Sequence, residues 1–154
     1  MRFQNFSIWR GRLPHWRADD VRYYVTFRHR RELTEKERNI LLRAILRPEG
    51  RKWELLIVCV LPETTELIFE VRSAPDGRPY ELSDVLEKAK TKAGKQIIKL
   101  SGERFPPFYT ESYDRIIRDE GELEEHWQRI FDSSVTLELV EDPEEWDALW
   151  VQGH

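Results

Sequence analysis

Thr64 and Glu66 stand two residues apart in Thr64-Thr65-Glu66-Leu67-Ile68-Phe69-Glu70-Val71, so in an extended strand both leave the same face. A hydroxyl and a carboxylate placed that way make the largely polar face of the strand the place where chemistry could sit. With Glu63 and the Tyr113 hydroxyl, Glu66 could also serve acid-base chemistry. The histidines give no such cluster: His15, His29 and His126 fall on an arm, a strand and a helix, without the spacing of metal ligands. The single cysteine, Cys59, lies inside an apolar strand and reads as a small buried hydrophobe, which excludes a disulfide framework and a cysteine-rich metal cage.

A second set of residues suits phosphates and bases. Arg10, Arg12, His15, Trp16 and Arg17 interleave cations with aromatic rings, a composition that stacks bases and neutralises phosphates. Packing of those rings on the domain is the alternative. Arg22 and Arg28 share a face of the following strand, and Lys90, Lys92 and Lys95 come from one helix. Lys88, Lys92, Lys95 and Lys99 form a row along that helix, with Lys90 on another side. A solvated flank is the bland reading of such a row.

The elements that must position these groups follow from periodicity. Residues 1–20 have little of it and read as an irregular arm. Val21, Tyr23, Val25 and Phe27 alternate with Arg22, Tyr24, Thr26 and Arg28, which predicts a half-buried strand. Thr34 and Glu37 form a capping box for a first helix whose stripe is Ile40, Leu41, Ala44 and Ile45, ended by Pro48 and Gly50. Trp53 to Val60 and Thr65 to Val71 pair as a hairpin about Pro62-Glu63, and the loop Ala74-Pro75-Asp76-Gly77-Arg78-Pro79 ends it. Leu82, Val85, Leu86, Ala89, Ala93 and Ile97 predict a second helix over residues 82–100. Gly102 and Pro106-Pro107 break it before a short strand within residues 108–118. A third helix is expected from about Asp119 to Asp132, with Leu123, Trp127 and Ile130 as its buried stripe. The order is that of an α+β domain: an antiparallel sheet with helices packed on one face, of the ferredoxin-like or RRM-like kind. The domain is expected over residues 21–140, with 141–154 as a tail packed on it.

The 154 residues suit a single core, and the formal net charge of −4 conceals an asymmetry. Residues 1–31 carry eight Arg and two acids, whereas residues 102–154 carry four bases and fifteen acids. A basic front is compatible with local phosphate contact, and the acidic end argues against indiscriminate coating of nucleic acid. No window approaches the ~20 apolar residues of a membrane span, so a soluble, cytoplasmic protein without membrane contact is expected.

Several segments, taken in order, resemble the REP-associated tyrosine transposases, relatives of the single-tyrosine HUH transposases of insertion sequences. They are Arg12-Leu13-Pro14-His15-Trp16, Tyr23-Tyr24-Val25-Thr26-Phe27, Leu61-Pro62, Leu82-Ser83 with Lys90, Glu111-Ser112-Tyr113-Asp114-Arg115-Ile116-Ile117-Arg118-Asp119-Glu120, and Leu139-Val140-Glu141-Asp142-Pro143-Glu144-Glu145-Trp146. The resemblance covers nearly the whole chain. It implies a paired-histidine site for Mg²⁺ or Mn²⁺ on the second hairpin strand and a tyrosine on the third helix that attacks a phosphate to form a 5′-phosphotyrosine. At the two histidine positions this chain has Thr64 and Glu66; at the tyrosine position it has Arg129, and at the accompanying asparagine Ser133. An arginine cannot make that attack. The resemblance therefore implies a degenerate, catalytically inactive relative that binds single-stranded or hairpin DNA and needs no cofactor, with at most weak metal contact at Glu66. Arg129 would put a positive charge beside the former scissile phosphate. A protein-interaction module on the same scaffold, with nucleic-acid binding lost, is the alternative; a homodimer and a protein partner are compatible with both.

Overall fold

The computed structural model describes residues 6–11, 22–49, 52–71 and 82–153. Its elements are α1 (Phe6–Gly11), β1 (Arg22–Arg28), α2 (Glu35–Leu46), β2 (Trp53–Val60), β3 (Thr64–Val71), α3 (Leu82–Ser101), β4 (Tyr113–Ile117), α4 (Glu120–Thr136) and β5 (Leu149–Val151). The five strands form one antiparallel sheet in the order β4-β1-β3-β2-β5. The part from β1 to β4 is the split β-α-β-β-α-β arrangement expected from the sequence.

Alternation along the strands sends their side chains into two apolar layers. Val25, Phe27, Val58, Val60, Leu67 and Phe69 pack with Leu41, Ile45, Val85, Ala89 and Ile97 of α2 and α3. This is the helical face that was expected. The other face is covered as well: Tyr24, Ile57, Cys59 and Ile68 pack with Phe6 and Trp9 of α1 and with Leu123, Trp127, Ile130 and Phe131 of α4. The pairing of β2 with β3 shifts register between Leu55 and Ile57, and this bulge sends both Leu56 and Ile57 into the α4 layer.

Local signals explain the element ends. The Thr34 hydroxyl accepts from the Glu37 N–H at 3.2 Å while the Glu37 carboxylate accepts from the Thr34 N–H at 2.9 Å. Gly102 follows α3 with φ +74°, a conformation that glycine adopts without steric cost, and its N–H donates to Ile98 O at 2.9 Å. Asp119 caps α4 by accepting from the Glu122 N–H at 2.8 Å. Arg31 clamps the fold by donating to both Glu37 and Glu103, which ties the start of α2 to the segment after α3.

Two elements depart from the sequence reading. Phe6–Gly11 is a helix where an irregular arm was expected. Six residues cannot sustain a helix alone, and this one rests on Phe6 and Trp9 against Trp127, with the Phe6 N–H donating to Gln128 Oε1 at 3.0 Å. The C-terminal segment supplies β5, whose three residues align with Ile57, Val58 and Cys59. Just before it, the Trp146 indole N–H donates to Val60 O at 2.9 Å, and the Arg38 guanidinium lies 4.5 Å from the Trp146 ring centre. No helix among the described residues is long and apolar enough to cross a membrane.

Candidate functional site

In β1 and β3, Arg28 lies opposite Thr64, Thr26 opposite Glu66, and Tyr24 opposite Ile68. Directly opposed residues share a face, so the α4 face of the sheet gathers Arg28, Thr26, Tyr24, Thr64 and Glu66. β4 adds Tyr113, which lies opposite Thr26, and β2 adds Cys59, opposite Glu66. α4 crosses above them and brings His126, Arg129 and Ser133. Thr64 and Glu66 thus leave one strand face, as their spacing predicts, and α4 brings Arg129 over that face.

Glu66 is the hub. Its Oε1 accepts from the Tyr24 hydroxyl at 3.1 Å and lies 3.8 Å from Arg129 Nη1. The Arg129 guanidinium sits 5.1 Å from the Tyr24 ring centre and donates to His126 Nδ1 at 2.8 Å, and His126 stacks on Tyr24 at 4.7 Å. Because an arginine only donates, His126 Nδ1 is the unprotonated nitrogen of that ring. Burial and then the Arg129 charge lower the His126 pKa. Burial, followed by the Glu66 carboxylate, raises that of Tyr24, which keeps it a phenol and a poor nucleophile.

Ser133 lies one turn beyond Arg129 but points inward. Its hydroxyl donates to Ile130 O at 2.7 Å and approaches Cys59 Sγ at 3.5 Å. Burial pushes the Cys59 thiol up to about 12, the signature of an inert structural cysteine. His29 is on the far side of the sheet, between Pro62 O and Thr65 Oγ1, each at 2.8 Å. Among the described residues, no group of three His, Cys, Asp or Glu side chains is placed to hold a metal ion. The donors at this point of the sheet do not fit the divalent cation that the resemblance implies. They amount to one hydroxyl and one carboxylate, and the carboxylate already carries a phenol donor and a guanidinium that would repel the ion.

The expected phosphate contacts separate into several places. Arg28 is exposed beside Tyr109, 6.0 Å from its ring centre. Lys92 and Lys95 are exposed on α3, on the opposite side of the sheet from Glu66; Lys92 borders a shallow groove with Arg47, Lys52 and Lys88. Arg10 donates to both carboxylate oxygens of Glu120 at 3.3 Å, joining α1 to α4. Arg12, His15, Trp16 and Arg17 lie outside the described residues. Two expected contacts are corrected. Arg22 is buried, with Nε 3.3 Å from Glu70 Oε1 across the β1–β3 pair. Lys90 is 5% exposed, and its ammonium donates to Tyr109 O at 2.8 Å and Thr110 O at 3.3 Å while lying 4.5 Å from the Phe27 ring centre. Both cations are consumed internally. Replacing Lys90 by alanine is expected to destabilise the protein by about 1–3 kcal/mol through two orphaned carbonyls, measurable by urea denaturation; an unchanged midpoint would contradict this role.

Tyr24 and His126 escaped the sequence reading as parts of one site. The signal was present in the strand register, which sets Tyr24 two residues from Thr26, and in the i, i+3 spacing of His126 and Arg129.

No family profile matches the sequence, and no curated protein matches it. Among solved structures, a REP-associated tyrosine transposase bound to a REP hairpin superposes with a TM-score of 0.65 at 19% identity, covering 89% of this chain and 82% of that one. A putative transposase from Deinococcus radiodurans gives a TM-score of 0.49 at 14% identity over 77% of this chain and 95% of that one. The chain therefore has the fold of a REP-associated tyrosine transposase, the family its segments resemble.

Proposed function

We propose that this chain is a transposase-like protein that binds single-stranded or hairpin DNA without cleaving it. The observation that carries the proposal is the occupancy of Glu66 by Tyr24 and Arg129. At the place where the resemblance puts a metal ligand and a nucleophile, this chain has a carboxylate neutralised by a guanidinium. The exposed guanidinium of such a pair can donate to a phosphate, but the tyrosine hydroxyl that the resemblance assigns to the attack is replaced by a group that only donates. That the fold's solved counterpart is bound to a REP hairpin supports the DNA part of the reading. Exposed Arg28, Lys92 and Lys95 support it too, and Arg12, His15, Trp16 and Arg17 are proposed to add the stacking and fork contacts of the arm. Metal is not required on this reading, and a cytoplasmic location is proposed with it.

The test is a titration of labelled hairpin and single-stranded DNAs at rising salt. Affinity is expected to fall steeply between about 50 and 200 mM salt, because every phosphate contact releases counterions. Salt-insensitive capture of a protein partner with no DNA shift would overturn the reading in favour of an interaction module.

A further inference from the structure

The sheet edge opens beside β1. His29 bridges Phe108 and Thr26 pairs with Tyr113, so two residues of β1, Phe27 and Arg28, face four of the returning chain, residues 109–112. The surplus residues form a bow beside an open recess of about 470 Å³ lined by Thr26, Phe27, Arg28, Tyr109, Glu111, Ser112 and Tyr113. Its size falls within the range of small-ligand sites.

The bow is held at its Phe108 end and from behind. The Tyr109 N–H donates to Arg28 O at 3.0 Å, and the Arg30 N–H donates to Pro107 O at 2.6 Å. Lys90 reaches from α3 to the carbonyls of Tyr109 and Thr110. Two aromatic rings nonetheless stay in solvent, Tyr109 at 39% and Tyr113 at 59% exposure. Exposed tyrosines on a backbone pinned by a buried lysine cost the fold apolar exposure without contributing to its core. Two guanidinia flank them, Arg28 at 6.0 Å and Arg30 at 5.1 Å from the Tyr109 ring centre, against a single acid, Glu111. Tyr113 also meets Tyr24 edge-on at 6.4 Å, so the recess adjoins the Glu66–Arg129 pair.

We infer that this recess takes one unpaired nucleobase of a bound DNA strand, stacked on Tyr109 and Tyr113, with Arg28 and Arg30 on the flanking phosphates. Rings supply the sequence-tolerant stacking surface, and guanidinia match phosphate oxygens. Thr26, Ser112 and Glu111 are the polar groups available to a base edge, the carboxylate selecting an exocyclic amine. Lys90 is a positioning residue for the wall. The inference rests on the proposed DNA binding and names the part of the ligand read here.

The probe is a hairpin carrying a short single-stranded extension, with 2-aminopurine placed at each unpaired position in turn, alongside the same hairpin without the extension. Wild-type protein is expected to quench one position selectively. Tyr109→Ala and Tyr113→Ala are expected to abolish that quenching and to weaken binding of the extended hairpin about five- to a hundredfold. Tyr113→Phe is expected to retain both, and the blunt hairpin is expected to respond to none of the three. Because both rings are exposed, the alanine variants are expected to keep the wild-type thermal midpoint. Wild-type affinity and quenching in both alanine variants would overturn the stacking site while leaving DNA binding intact. Absence of any DNA binding by the wild type would instead overturn the reading beneath it.

Discussion

Trp127→Ala is expected to lower stability by about 3–5 kcal/mol, the cost of emptying a large aromatic site in a packed core. Trp127 is fully buried on α4 between Trp9 of α1 and Phe131 of its own helix, with ring centres 5.0 Å away on both sides. Phe6 meets the same ring edge-on at 5.9 Å. The substitution therefore loosens α1 and the middle of α4 together. Arg129 is two residues further along α4, so the Glu66–Arg129 contact is expected to loosen as well. Trp127→Phe keeps a ring in the stack and removes an indole N–H that has no hydrogen-bond partner among the described residues. It is expected to cost far less than the alanine substitution. Chemical denaturation of both variants measures this directly; equal losses would mean that the stack contributes little.

The second large effect is a loss of stability in acid that traces to His29. Its Nδ1 faces Pro62 O, which can only accept, so Nδ1 carries the proton and Nε2 accepts from the Thr65 hydroxyl. Burial, reinforced by the nearby Lys90 charge and opposed by the Pro62 hydrogen bond, lowers the pKa from 6.5 to about 4. Between those values the unfolded chain binds a proton that the folded chain refuses. Stability is therefore intact above pH 6.5, declines as pH falls toward 4, and levels off below for this group. The full depression corresponds to about 3 kcal/mol. Glu103, held down to about 2 chiefly by Arg31, weakens the fold only in a lower window, as pH falls below 4.5. Denaturation midpoints of wild type and His29→Gln across pH 7 to 4 separate the two: the variant is expected to start less stable and to decline less. Parallel curves would remove His29 as the cause.

Much of the fold was legible because local and long-range signals agreed. Thr34 and Glu37 marked the start of α2 by hydrogen bonds four residues apart at most, and the apolar alternation of β1, β2 and β3 matched their pairing. What escaped reading depends on partners distant in sequence. α1 is stabilised by Trp127, and β5 is too short for an alternation to register. The polar rhythm of Thr64, Glu66 and Glu70 suggested an open face, yet Ile68 between them meets α4, so chemistry is confined to the end of the sheet. Lys90 and Arg22 looked like surface cations because charge alone cannot announce a buried partner 19 or 48 residues away. Glu66 was marked by the strand alternation and Arg129 by the resemblance, but their mutual contact became visible only with α4 laid across β3.

The most direct measurement incubates the protein with labelled hairpin and single-stranded DNAs, with and without Mg²⁺, and resolves each mixture on native and denaturing gels. The account predicts a shifted complex on the native gel that does not depend on Mg²⁺, and on the denaturing gel only intact, protein-free DNA. A nicked strand or a covalent protein–DNA adduct, lost in Tyr113→Phe or Glu66→Ala, would contradict it and establish a rebuilt strand-transfer site.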